Sequence, residues 1–170
     1  NKEFTHALYQ MRLEKGIVQY PDANSTMRIT YGTVGGYEPY DGVVCDWKTT
    51  PAGILEKYDP TDYDFTLSDR QYLLYRKGDW GRWGFGKDGS QMYVNFLTDN
   101  DITGGNSGSP VLNSRGELIG LAFDGNKESL ASDASFTPGY NKCVCVDIRF
   151  ILWTLDRYAG MTRIIEELGL

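Results

Sequence analysis

The sequence predicts a mainly β fold: several antiparallel strands joined by long loops and finished by a C-terminal helix, most like half of a β-barrel. Three observations predict it. Short runs alternate apolar and polar residues, as in QMYVNFLT (91–98), ELIGLAFD (117–124) and KCVCVDI (142–148). Gly, Asn, Asp, Ser and Pro gather between these runs, where a chain reverses. Helical spacing of apolar residues is confined to the two ends and one short internal segment, which suits strands in the middle and helices as accessories.

In chain order, residues 1–15 place Phe4, Ala7, Leu8 and Met11 on one face and read as the helical end of an upstream segment. STMRITYGTVGGY (25–37) sets Met27, Ile29 and Tyr31 against Arg28, Thr30 and Gly32, and reads as a strand running into Gly35-Gly36. Residues 38–62, with Pro39, Pro51 and Pro60, read as long loops with one short extended piece. SDRQYLLYRKG (68–78) has Ser68 as N-cap, Asp69 in the first turn and Gly78 at the stop, the signature of a short helix. The aromatic residues Trp80, Trp83 and Phe85 either line an exposed binding surface or pack on a further domain. Residues 110–124 form a hairpin with Gly116 in its turn. IRFILWTLDRYAG then aligns Ile148, Ile151, Leu152, Leu155 and Ala159 in a helix stopped by Gly160, and Met161, Ile164, Ile165 and Leu168 mark a last helical turn or two.

Composition narrows the function. The chain has 170 residues, enough to bury a core, and its 41% hydrophobic and 14% aromatic content excludes a disordered segment. A net charge of -6, with no basic run, disfavours nucleic acid and anionic membrane as partners. No apolar run reaches the roughly 18 residues that span a bilayer. The opening NKEFTHALYQ lacks an initiator Met and a signal-peptide core, and reads as the interior of a longer polypeptide. Cys143 and Cys145 share one face of a strand and, like Cys45, read as small buried hydrophobes. With His6 the only histidine, no metal site is expected, and no cofactor.

The stretch DITGGNSGSPVLN (101–113) carries the chemistry. A nucleophilic serine must project from a tight loop, with two N–H groups aimed at the developing oxyanion. Glycines permit such a turn, including positions with positive φ. Ser107 is the candidate nucleophile, with the N–H groups of Gly105 and Ser107 as the donor pair. From spacing alone, a glycine-rich turn chosen only for its shape is the favoured reading.

GGNSGSPV is similar to the Gly-(Asp/Asn)-Ser-Gly-(Gly/Ser)-Pro signature of chymotrypsin-like serine peptidases. Together with PDANSTMRITYG, FLTDNDITGGNSGSPVLNSRGELIGLAFDGN and VDIRFILW, it resembles the bacterial dipeptidyl-peptidase 7 and 11 family, serine exopeptidases that remove dipeptides from free N-termini. The resemblance covers residues 16 to 170. It implies a chymotrypsin-like antiparallel β-barrel, the C-terminal barrel of a double-barrel peptidase, with a C-terminal helix and short extra helices. Ser107 matches the nucleophile, Gly105 and Ser107 the oxyanion hole, and Ser109 a structural position. The segment holding Phe123, Asp124 and Gly125 matches the edge beside the S1 pocket. Asp124 matches the carboxylate that holds the substrate's α-ammonium group, a charge-assisted bond worth about 1.5–3 kcal/mol. Taken alone, Asp124 reads as a turn aspartate bonded to its own backbone.

In this family a glycine after that aspartate leaves an open pocket and an arginine suits an acidic P1 residue. Gly125 therefore implies an apolar P1, although Lys127, in a stretch (KESLASDASF) that departs from the family pattern, could restore some taste for Asp or Glu. The family's His and Asp lie upstream, on the other barrel, before an inserted helical domain. His6 falls outside the matching part and reads as a surface histidine. The chain is thus expected to hold the nucleophile without its base. Alone it should be inactive, since loss of a triad member costs about 10⁶-fold in turnover. The expected partners are peptides with a free N-terminus and the remainder of the parent chain. The resemblance also implies a homodimer in the periplasm or at the cell surface. Asp99 and Asp101 read as turn formers, and PDAN (21–24) as a plain turn or a loop approaching the active site. Two other readings stay open: a non-catalytic module binding extended peptides by strand addition, and a glutamyl-type endopeptidase sharing the GNSGSP loop.

Overall fold

The computed structural model describes residues 2–17, 26–132 and 135–170. Its elements are α1 (Lys2–Glu14), β1 (Tyr37–Tyr40), β2 (Val43–Cys45), α2 (Pro51–Lys57), α3 (Asp69–Lys77), β3 (Asn95–Thr98), β4 (Pro110–Leu112), β5 (Leu118–Gly125), β6 (Cys143–Asp147), α4 (Ile148–Trp153) and α5 (Thr162–Glu167). Every strand pairing is antiparallel. β1 and β2 form a hairpin, and the other four strands form a sheet in the order β3-β6-β5-β4. Isolated bridges join Val34 to Thr98 and Lys48 to Phe96 along the outer edge of β3, but among the described residues no strand links β3 to β4, so the expected barrel is not closed here.

The main shortfall is 25–37. Apart from an isolated bridge between Val34 and Thr98, residues 26–36 join no strand, and Met27, Ile29 and Tyr31 are 90%, 84% and 92% exposed. Alternation stabilises a strand only when one face has something to cover it, and no described residue covers this one. PDAN (21–24) lies outside the described residues.

Local signals at helix ends translate directly. The Ser68 hydroxyl accepts from the Gln71 N–H at 3.2 Å, and Gly78 closes α3 in a left-handed conformation. α2 replaces the loop expected around residue 51: Pro51 sits in the first turn, where its missing N–H costs nothing. α1 is a helix as foretold, but buries no residue.

Two cores hold the molecule. One is aromatic: Trp153, fully buried, stacks on Tyr75 at 5.3 Å and meets Trp80 edge-on at 5.4 Å, with Met92 beside them. Trp80 is therefore core, not a bare surface. Trp83 donates its indole N–H to Asp156 at 2.8 Å, and Phe85 packs on Tyr93 under the Arg149 guanidinium. The second core lies on one face of the sheet, where Cys143, Cys145, Phe96 and Ala122 pack with Trp47, Ile102, Val111 and Ile119. Cys143 and Cys145 are buried free thiols 3.6 Å apart, as their shared face required. Phe96 crosses β5 so closely that a Cβ at Gly120 would stand 2.7 Å from its ring, which makes that glycine a packing necessity. The sheet thus carries β5 at fixed depth beneath the loop that follows β3.

Candidate active site

Loop 102–109 is built from its own backbone. Thr103 and Asn106 bond reciprocally: the Asn106 N–H donates to the Thr103 carbonyl at 3.2 Å, and the Thr103 N–H donates to Asn106 Oδ1 at 3.1 Å. The Ser109 N–H then donates to the Asn106 carbonyl at 2.9 Å. Two further bonds hook the loop to β5, Gly108 N–H to the Ala122 carbonyl at 2.7 Å and Ala122 N–H to the Ser109 carbonyl at 2.9 Å. Gly105 and Gly108 sit at φ 102° and 86°, left-handed positions that a side chain would strain. Ser107 stands between them, exposed, and its hydroxyl donates to the Phe123 carbonyl at 3.2 Å.

The amides divide into two sets. Those of Asn106, Gly108 and Ser109 are spent within the protein, whereas those of Gly104, Gly105 and Ser107 meet no acceptor among the described residues. Uncommitted amides beside a hydroxyl are what an anionic oxygen requires.

β5 supplies the other wall. β4 pairs with it only as far as Leu121, and a register shift between Ala122 and Asp124 marks a bulge at Phe123. Beyond Ala122, β5 is bonded to β6 on one side, Asp124 facing Val144 and Gly125 facing Cys143. Its other side, towards Ser107, has no strand partner among the described residues. A cavity of about 220 Å³ opens there, bounded by Ile102, Thr103, Asn106 and Ser107 from the loop, Phe123, Asp124 and Gly125 from the strand, and Ser129 and Leu130 from the 3₁₀ turn Lys127–Ala131. Its walls mix hydroxyls, amides and apolar groups.

Asp124 Oδ1 accepts from the Gly125 N–H at 2.8 Å, the local bond of a turn aspartate, while Oδ2 meets no donor among the described residues. Both Asp124 and Phe123 are exposed at the cavity. Lys127 is exposed and does not line it. His6 lies exposed on α1. Asp99 is less solvated than a plain turn former: it receives the Thr33 N–H and, at 3.1 Å, the Thr33 hydroxyl. Burial raises its pKa, but those bonds and the nearby Lys142 charge outweigh it and hold the carboxyl below its usual range.

One cluster here escapes sequence reading. Asn126 is nearly buried: its Nδ2 donates to the Tyr140 carbonyl at 3.0 Å, and its Oδ1 accepts from the Lys142 N–H at 2.8 Å and from the Ser129 hydroxyl. Tyr37 donates to Glu128 at 2.8 Å, and burial, followed by Glu128 and Cys45, pushes its phenol up to about 12 against the opposing influence of Asn126. The only signal in the sequence is the polar string Asn126–Ser129, which reads as loop.

Residues 1–170 match the family described as Peptidase S46. The chain is 48% identical to Dipeptidyl-peptidase 7 of Porphyromonas endodontalis over 149 residues, 88% of this chain and 18% of that protein. It is 45% identical to the same organism's Asp/Glu-specific dipeptidyl-peptidase over 148 residues, 87% of this chain and 20% of that one. The crystal structure of P. endodontalis DPP11 in complex with the dipeptide Arg-Glu superposes with a TM-score of 0.85 at 41% identity, covering 95% of this chain and 23% of that one. The chain therefore spans about a fifth of the length of these relatives.

Proposed function

The chain belongs to the peptidase S46 family, and on that premise we propose that it is the nucleophile-bearing part of a serine-type dipeptidyl peptidase. The observation that carries the reading is the meeting of Ser107, uncommitted amides and the one-sided end of β5 at a single cavity. A substrate strand adds to the free edge of Phe123–Gly125, with its P1 side chain in the cavity beside Gly125. The Ser107 Oγ turns from the Phe123 carbonyl and attacks the second residue's carbonyl carbon. Its proton passes to a base held by the remainder of the protein, and the carbonyl oxygen, now anionic, takes the Gly105 and Ser107 N–H groups. Each such donor is worth about 2.7–4 kcal/mol. The C–N bond breaks as the base returns its proton to the leaving amine, and water releases the acyl dipeptide. Asp124 holds the α-ammonium group through its free oxygen, which rewards a dipeptide-length substrate.

In the same reading, residues 1–15 end an upstream segment and residues 16–170 belong to the second barrel of a chymotrypsin-like domain, closed by strands of the longer chain. Its antiparallel pairing and glycine loop support this. A dimeric enzyme in the periplasm or at the cell surface follows from the resemblance; among the described residues no helix is long and apolar enough to cross a membrane. An apolar P1 gains no support: relatives include a protein named as Asp/Glu-specific, and the cavity walls are mixed.

The test uses the full-length enzyme and dipeptidyl reporters with Leu or Asp at P1, each with a free or acetylated amine. Cleavage of the free form alone, abolished in Ser107→Ala, supports the reading. Equal cleavage of both forms removes the ammonium role from Asp124 and indicates an endopeptidase. No cleavage by folded enzyme indicates a peptide-binding module.

A further inference from the structure

The space that a side chain at position 125 would take is already filled. A Cβ built on Gly125 meets the Ser129 Cβ at 3.0 Å and its Oγ at 3.6 Å. The Gly125 backbone lies outside the left-handed region, so conformation does not demand glycine there. Ser129 does.

Ser129 cannot readily yield. Its hydroxyl donates to Asn126 Oδ1 and receives the Lys142 N–H at 3.1 Å, while its own N–H donates to the Asn126 carbonyl at 2.9 Å. The turn carrying it is pinned from two other sides. Tyr37 of β1 bonds the Glu128 carboxylate, and the Asn141 side chain donates to the Glu128 carbonyl at 2.7 Å. The turn is thus a fixed wall of the cavity that Ser107 faces, with Leu130, 91% exposed, at its rim.

We propose that Ser129 is a specificity-determining residue: with Gly125 it forms one steric unit that sets how long a P1 side chain the cavity admits. This rests on the dipeptidyl peptidase reading above. Gly125 leaves room above the strand only because it has no side chain, and Ser129 closes the floor of that room. Removing Ser129's side chain deepens the floor. Branching it raises the floor.

The experiment uses full-length enzyme and free-amine dipeptidyl reporters in length-matched pairs at P1, Asp with Glu and Ala with Leu. For each variant the kcat/KM ratio of longer to shorter substrate is taken, so that any loss of folded enzyme cancels. Ser129→Gly should raise that ratio about tenfold and Ser129→Val should lower it by a similar factor, the scale of one methylene in a specificity pocket. Gly125→Ala should lower turnover of every reporter, and adding Ser129→Gly should restore it to within about threefold of Ser129→Gly alone, non-additivity expected of residues in contact. Ratios unchanged in both Ser129 variants, with cleavage still dependent on Ser107, would overturn the proposal alone. Absence of Ser107-dependent cleavage in the wild type would overturn the peptidase reading and this proposal with it.

Discussion

Asn126→Ala tests how the cavity wall is held. The substitution deletes three hydrogen bonds: Nδ2 to the Tyr140 carbonyl, and those that Oδ1 receives from the Lys142 N–H and the Ser129 hydroxyl. It strands no group completely. The Lys142 N–H keeps the Ser129 hydroxyl at 3.1 Å, that hydroxyl keeps the Lys142 carbonyl at 3.4 Å, and Tyr140 is near enough to solvent for its carbonyl to hydrate. The cost is therefore three net bonds at about 1 kcal/mol each, close to 3 kcal/mol, without the larger penalty of an orphaned buried donor. Ser129→Ala serves as the internal reference. It removes one strong bond and two weaker contacts while Lys142 keeps its 2.8 Å bond to Asn126, so about 1 kcal/mol is expected. Urea unfolding followed by tryptophan fluorescence measures both, with an unchanged slope required for the comparison. A Ser129→Ala cost equal to or above that of Asn126→Ala would refute this assignment of Asn126 as the hub.

Three further outcomes follow from the same structure. Tyr37, with its phenol raised to about 12, favours the fold while neutral. Its contribution is whole below about pH 10, where an unfolded tyrosine is still protonated, and drains away as pH rises from 10 to 12. The phenolate absorbance difference between wild type and Tyr37→Phe should accordingly emerge near pH 12, and emergence near 10 would deny the raised value. Trp153→Ala should destabilise by about 3–5 kcal/mol, since it empties the centre of the aromatic core; a loss under 1 kcal/mol by thermal or urea unfolding would contradict that packing. Alkylation under native conditions should label the partly exposed Cys45 well before the buried Cys143 and Cys145, with all three reacting together in denaturant. Mass spectrometry of timed samples would expose any other order.

What was legible in the sequence is what neighbouring residues decide among themselves. Ser68 and Gly78 bound α3 because caps act within one turn, and Gly116 places the β4–β5 hairpin because the reversal is local. The Gly105-Asn106-Ser107-Gly108 turn is legible for the same reason: its bonds run from Thr103 to Ser109. Trp153 lies beside the face that a 3.6-residue count selects, Ile148, Ile151, Leu152 and Leu155, and its burial depends on Tyr75 and Trp80, which are distant in the chain. α2 was hidden because Pro51 looks no different in print from Pro39 or Pro60, though only Pro51 starts a helix. The Asn126–Ser129–Lys142 cluster depends on a third strand returning beside β5, and no local spacing announces it.

The wall between Ser107 and Phe123 is closed by residues sixteen apart in the chain, whereas β3 meets β6 across about fifty, Asn95 opposite Val146. Loop closure favours the shorter excursion. The part of the cavity that holds the candidate nucleophile therefore has low contact order, and it should assemble as a hairpin with its turn before the sheet is complete. β6 then adds to that hairpin and supplies the pairing that holds Asp124 and Gly125 beside the serine.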